Sequence, residues 1–343
     1  MKKIVIAVLI IILACCAVGC NPIDERIIAF GTVVGLKLDK GNPNKTLKTL
    51  EPYLSALDRD FDTDYEDGSL YKINNAKAGQ EVVVSNEAYE LLQLAKKLYK
   101  QTNGFFNIAT FPLTELWKLS PLTYVSFKEN YTLPTAQEIA EILPNCNFND
   151  LILKDNNVVI KSNEKLKVSF GALAKGYAGD KALSIARSNK NQGIIDMGGT
   201  IFTLGDGPFN VGIGNPRESN VDYFAKLTLS DGAIVCTSGD YHRYYIVGDK
   251  RYHHIFGTDG YPTQNGIISV TIVALNNKFS GALCDGLSTS VFALGLVNGT
   301  KLLNEYGIGA VIITADNKYS LVNLDESIFT LNDTGYKKYV QTT

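Results

Sequence analysis

The chain reads as an α+β protein, with mainly antiparallel sheet and helices inserted between strand runs. Two observations predict this class. Short strand-like runs follow one another across tight turns, which favours antiparallel pairing, and the helical stretches interrupt those runs instead of alternating strictly with single strands. A third observation trims the problem. The first residues carry Lys2 and Lys3, then an uncharged apolar run over residues 4–18, then Gly19-Cys20. A basic start, a short apolar stretch and small residues before a cut describe a secretory signal, and the run is too short to span a membrane. Cys20 then stands as the lipidated first residue of a lipoprotein, with Cys15 and Cys16 as rival positions. The expected organisation is a signal at residues 1–19 and one domain of two interleaved lobes at 20–343, outside the cytoplasm and anchored to a membrane by lipid.

Taken in order, residues 27–38 read as a strand broken by Gly31 and Gly35, and residues 46–57 as an amphipathic helix whose weak point is Pro52. Ser85 caps a helix running to Lys100, with Leu91, Leu94, Ala95 and Leu98 on one face and Gly104 as its stop. Thr135 and Glu138 form a capping box for a short helix ending near Leu143. Strands are expected at residues 158–161 and 165–170, and a helix at 175–188. Further strands are expected at 193–196, 210–213, 223–229, 233–237, 244–247 and 267–274. Helices at 284–296 and 300–306 and strands at 310–314 and 319–323 close the chain.

Composition excludes some functions. The net charge is −2 with 20% charged residues, which leaves no basic footprint for nucleic acid. Beyond the leader and Cys20 only Cys146, Cys236 and Cys284 remain. Their odd number and wide spacing make neither a disulfide framework nor a zinc site, so buried free thiols are expected.

Five motifs carry chemistry. In Phe170-Gly171-Ala172-Leu173-Ala174-Lys175-Gly176-Tyr177 an apolar run ends in small residues and a Lys stands where a helix begins, a setting that suits a phosphorylated ligand. In Asp285-Gly286-Leu287-Ser288-Thr289, the carboxylate and the last hydroxyl are four apart and face one way. They serve either as oxygen ligands for a hard cation such as Mg²⁺ or, for Asp285, as a plain helix cap. Thr237-Ser238-Gly239-Asp240-Tyr241-His242-Arg243-Tyr244 reads as a tight turn or as the wall of a ligand cleft. In Tyr252-His253-His254, two of the three His are adjacent, so a strand would send them to opposite faces and at most one would face a site. Asp196-Met197-Gly198-Gly199 allows a close backbone approach or a bulge, and it is neither a Walker loop nor GxGxxG.

Together with Phe30-Gly31-Thr32, Gly104-Phe105-Phe106-Asn107 and Gly260-Tyr261-Pro262, these motifs in this order resemble the ApbE family of FAD:protein FMN transferases, over most of residues 30–322. The resemblance implies an ApbE-like fold, FAD as substrate and Mg²⁺ as cofactor. It implies transfer of FMN through a phosphoester to a Ser or Thr of an acceptor protein, with FAD hydrolysis or plain FAD binding as alternatives. It places metal ligands at Ala172, Asp285, Ser288 and Thr289, and cofactor contacts at Phe30, Tyr65, Asn74, Phe105, Phe106, Asn107, Ser169, Lys175, Gly198, Gly199, Ser238 and Thr263. It gives His254 and Asp259 as the proton-handling pair. The chain departs from the family pattern at Gly257, where an Asp is usual, with one residue missing before Gly260. Asn107, Ser169 and Ser288 replace acids, and Phe30 stands where Met is common.

Overall fold

A computed structural model describes residues 22–120, 124 and 131–339. The leader and Cys20 lie outside the described residues. The chain opens on a hairpin of β1 (Ile23–Ala29) and β2 (Thr32–Asp39), paired from Ile23↔Leu38 to Ala29↔Thr32. The expected single strand at residues 27–38 is therefore two. Phe30 and Gly31 both take positive φ (53° and 66°), which reverses the chain as a two-residue turn whose twist suits a hairpin. Helix α1 (Pro43–Asp60) starts earlier than its periodicity suggests, because the Asn42 side chain accepts from Lys45 N–H and Pro43 occupies the first turn. It also passes through Pro52 without ending.

Then come α2 (Ser69–Asn75), β3 (Glu81–Val83) and α3 (Asn86–Gln101), the last capped by Ser85 as expected. Next are α4 (Phe111–Leu116) and α5 (Ala136–Ile142), the latter with both halves of the Thr135–Glu138 box formed. Strands β4 (Leu151–Lys154) and β5 (Val158–Lys161) join β3 in a small antiparallel sheet.

No strand forms at residues 165–170. The N–H and C=O of Val168 are both taken by the Asn74 side chain, at 2.8 and 3.0 Å, so side chains replace a neighbouring strand as partners.

Helix α6 (Ala174–Ser188) leads into β6 (Gln192–Asp196) and β7 (Thr200–Leu204). The chain continues as β8 (Phe209–Gly214), β9 (Tyr223–Leu229), β10 (Ile234–Gly239), β11 (Tyr244–Val247), β12 (Lys250–His253) and β13 (Ile267–Ala274). Strands β3, β4, β7 and β12 have no counterpart in the sequence reading, and neither do the later strands at 329–331 and 337–338. Helix α7 (Gly281–Tyr306) covers both expected C-terminal helices and breaks at Gly295 (φ 80°). Strands β14 (Gly309–Thr314), β15 (Lys318–Val322), β16 (Phe329–Leu331) and β17 (Lys337–Lys338) finish the chain.

The main sheet runs β1-β2-β6-β7-β10-β13-β14-β15-β17 and is antiparallel except at β15–β17. Helices α6 and α7 pack on it over one apolar core that draws on residues from Ile23 to Val322, so the two ends of the chain share an interior. Cys146, Cys236 and Cys284 are buried free thiols, as expected.

Candidate active site

A cleft of about 430 Å³ opens where the β1–β2 turn meets the edges of α6, β10 and α7. That volume suits a small-molecule site, which typically measures roughly 300–1,000 Å³. Phe30, Phe105, Phe106, Asn107, Ser169, Ala172, Lys175, Gly198, Ser238, His254, Asp285 and Thr289 all line it. Asn74, Tyr65, Gly199, Asp259, Thr263 and Ser288 do not. A second hollow of about 680 Å³, beside Arg217, Asp333 and Tyr336, holds none of the expected residues.

The inner wall is a helix crossing. A Cβ on Gly176 would stand 2.1 Å from Gly281 C=O, so only glycine lets α6 and α7 touch backbone to backbone. Across this contact the helices exchange carboxylates. Asp180 of α6 accepts from Gly281 N–H (2.6 Å) and Ala282 N–H (3.1 Å), while Asp285 Oδ2 of α7 accepts from Gly176 N–H (3.0 Å). Each side chain satisfies donors that the other helix start leaves open. Burial pushes the Asp180 carboxyl up to about 6, against the pull of its two N–H donors. Asp285 does not cap its own helix, because Ser280 does that. Lys175 Nζ stands 4.0 Å from Asp285 Oδ2, and among the described residues Oδ1 takes no hydrogen bond.

A hydroxyl chain follows. Ser288 Oγ donates to Asp285 C=O at 2.7 Å, which uses its one proton. Ser238 Oγ, 2.7 Å away, must then donate to Ser288, and Thr289 Oγ1 donates to Ser238 at 3.1 Å. The chain of protons therefore points inward and leaves the lone pairs of Thr289 free on the cleft side. Ser288 is fully buried behind Ser238. Asp285 Oδ1, Thr289 Oγ1 and the Ala172 carbonyl are the oxygen donors a hard cation takes, with water and phosphate oxygens completing its shell. Among the described residues there is no cluster of three or more His, Cys, Asp or Glu.

The adjacent histidines divide as their opposite faces require. Both ring nitrogens of His253 are used, Nε2 on Thr263 C=O (2.9 Å) and Nδ1 on Ile255 N–H (3.2 Å), and the ring is buried. His254 lies in the cleft with Nδ1 3.2 Å from Arg243 C=O. A carbonyl only accepts, so Nδ1 carries the proton and Nε2 presents a lone pair. Burial first, and then the charge of Arg243, holds this imidazole neutral, well below its usual pKa. Asp259 sits in an exposed turn and accepts from Tyr261 N–H, while Thr263 Oγ1 is buried without a partner.

The outer wall is the irregular segment 162–173. Ser169 N–H donates to Ile108 C=O at 3.0 Å, and Asn74 pins Val168 from behind. Asn107 spends its amide on Cys146 C=O (2.7 Å) and Ala109 N–H (2.8 Å), so it shapes the Phe105–Ile108 wall by holding backbone. Asp196 Oδ1 accepts from both Gly198 and Gly199 N–H in the β6–β7 turn, and only Gly198 reaches the cleft. Tyr65 is exposed, with Arg59 over its ring.

The sequence reading did not single out Thr110, Phe111 or Thr114, which also line the cleft, whereas His242 and Arg243 belong to the run it gave as a tight turn or a cleft wall. Thr110 and Thr114 are four apart, a signal that was available.

Comparison with known proteins gives this cleft its context. The ApbE family profile matches residues 30–312. The chain belongs to the ApbE family. It is 27% identical over 326 residues to the FAD:protein FMN transferase of Klebsiella pneumoniae, covering 92% of this chain and 98% of that protein. It is also 27% identical to the protein of the same name from Treponema pallidum, covering 74% and 72% of the two. Among solved structures, the ApbE protein of Thermotoga maritima superposes with a TM-score of 0.78 at 29% identity, covering 88% of this chain and 97% of that one. The ApbE fold, α+β with a mostly antiparallel sheet, is thus the fold of this chain.

Proposed function

We propose that this ApbE family member transfers FMN from FAD to a Ser or Thr hydroxyl of an acceptor protein, releasing AMP. One observation carries the reading. Asp285, Thr289 and Lys175 line the same cleft as His254, an arrangement that supports roles as oxygen ligands, a positive partner for phosphate and a proton acceptor toward one ligand. The full-length similarity to FAD:protein FMN transferases supports it.

In this reading Phe30, Phe105 and Phe106 receive the flavin, and Lys175 pairs with the pyrophosphate. Asp285, Thr289 and the Ala172 carbonyl would hold Mg²⁺, which would neutralise charge on the pyrophosphate. His254 Nε2 takes the proton of the acceptor hydroxyl as its oxygen bonds to the FMN phosphorus. The bond from that phosphorus to the AMP oxygen breaks, AMP leaves with the electron pair, and the imidazolium returns its proton to solvent. Arg243 C=O fixes the tautomer that makes this possible. The protein is taken to act outside the cytoplasm, held at a membrane through lipid on Cys20.

The test is to incubate full-length protein with FAD, Mg²⁺ and a Thr-bearing acceptor domain, reading flavin fluorescence on a denaturing gel and AMP by chromatography. A fluorescent acceptor band with equimolar AMP is expected. AMP without a band means water is the acceptor. Tight FAD binding with neither product means a carrier. Labelled fatty acid incorporated into wild type and lost in Cys20→Ala checks the anchor.

A further inference from the structure

Among the described residues Lys161 is the one lysine in the set of fully buried large side chains, 2% exposed at the end of β5, and no described carboxylate forms an ion pair with it. Its ammonium donates to three backbone carbonyls instead: Asn74 (2.7 Å), Glu164 (2.8 Å) and Leu166 (3.2 Å). A buried charge balanced only by carbonyl dipoles costs stability. Its three targets are not scattered. Asn74 is the residue whose amide grips both backbone groups of Val168, and Leu166 lies two residues before it. Ser169, next along, is tied to Ile108 C=O, and both line the cleft.

We propose that Lys161 is a positioning residue for FAD, holding the outer cleft wall through Asn74 and Leu166 without touching the ligand. The proposal rests on the FAD-binding part of the function above. An ammonium has three donors for three carbonyls. The neutral amine has two, so deprotonation orphans one carbonyl, with Leu166 at 3.2 Å the weakest held. Burial pulls this ammonium down to about 8, with Glu164 opposing and Lys167 assisting. The titratable groups of the cleft whose shifts are resolved lie outside that range, since His242 and His254 are pushed below 6.5 and burial brings Arg243 down only to about 10.

Two readouts then move in different directions. Because the native state releases this proton before the unfolded chain does, Lys161 itself makes unfolding harder as pH rises above about 8. FAD affinity should instead weaken over the same range as the wall loosens.

The experiment measures FAD affinity by flavin fluorescence quenching, and Tm, on full-length wild type, Lys161→Arg and Lys161→Met between about pH 7 and pH 9. Wild type should lose affinity several-fold with a midpoint near 8 while its Tm does not fall. Lys161→Met should bind weakly across the whole range, and Lys161→Arg should bind without the alkaline loss. A flat wild-type profile, or a methionine variant binding as tightly as wild type, overturns the proposal. The wild-type profile decides the matter even where a variant fails to fold. Should FAD bind at no pH, the proposed function fails, and amide exchange at Val168 and Ser169 in the ligand-free protein still tests the clamp. Protection lost above about pH 8 supports it, and constant protection refutes it.

Discussion

The two walls of the cleft are built on different principles. The inner wall is a contact between two helices, with glycine against glycine and carboxylates exchanged across the crossing. The outer wall, residues 162–173, has no helix or strand and is held by the side chains of Lys161 and Asn74. Regular structure satisfies its own backbone, so the inner wall needs side chains only at its helix starts. The outer wall bonds Leu166 and Leu173 N–H within itself but borrows side chains for both backbone groups of Val168 and for Leu166 C=O, which makes it the more easily perturbed half of the site.

The largest effect expected from breaking the inner wall is on chemistry. Asp285→Asn keeps an acceptor for Gly176 N–H but loses the charge, so Mg²⁺-dependent transfer should fall about 100-fold with the fold intact. Full activity in that variant would remove Asp285 from the cation site. Gly176→Val should destabilise by about 3 kcal/mol, the upper end for overpacking, since its Cβ has no room beside Gly281. Thermal denaturation checks this, and an unchanged Tm would mean the crossing is looser than drawn. On the outer wall, Asn74→Ala leaves the N–H and C=O of buried Val168 unpaired and should cost about 2 kcal/mol. A sharper contrast is that FAD affinity should drop more in Asn74→Ala than in Gly176→Ala variants that still fold, as titration would show.

The smallest effect is a pH slope. Asp180 holds its proton up to about 6 in the folded state, above its unfolded value of 3.8. Between those two values the native state binds the extra proton, so its contribution to stability is full below pH 3.8 and is lost as pH rises through 6. Asp180→Asn should flatten that part of the Tm profile, and an unaltered slope would assign it to another group.

Much of the inner wall was legible. The small-residue run before Lys175 marked the start of α6 within one residue, and the spacing of Asp285 and Thr289 put both on one helix face. The outer wall misled, because Leu166, Val168 and Phe170 alternate like a strand and their burial is real. Nothing local says that Asn74, 94 residues away, would take the place of a neighbouring strand. Gly31 read as a break in one strand and proved to be a reversal between two.

The sequence by itself determined the elements whose causes are local: the Ser85 and Thr135 caps, the strands at Tyr223–Leu229 and Ile267–Ala274, and the family motifs in their order. The family motif pointed to His254 over His253, but tertiary structure alone set the hydrogen bond that fixes its tautomer and left Asp259 outside the cleft. It also decided that Asp180 and Asp285, on helices about a hundred residues apart, cap each other's helix starts. A cap or a periodic face forms from neighbours in the chain, whereas a ring nitrogen's partner and a carboxylate's donor are supplied by whatever the fold brings against them.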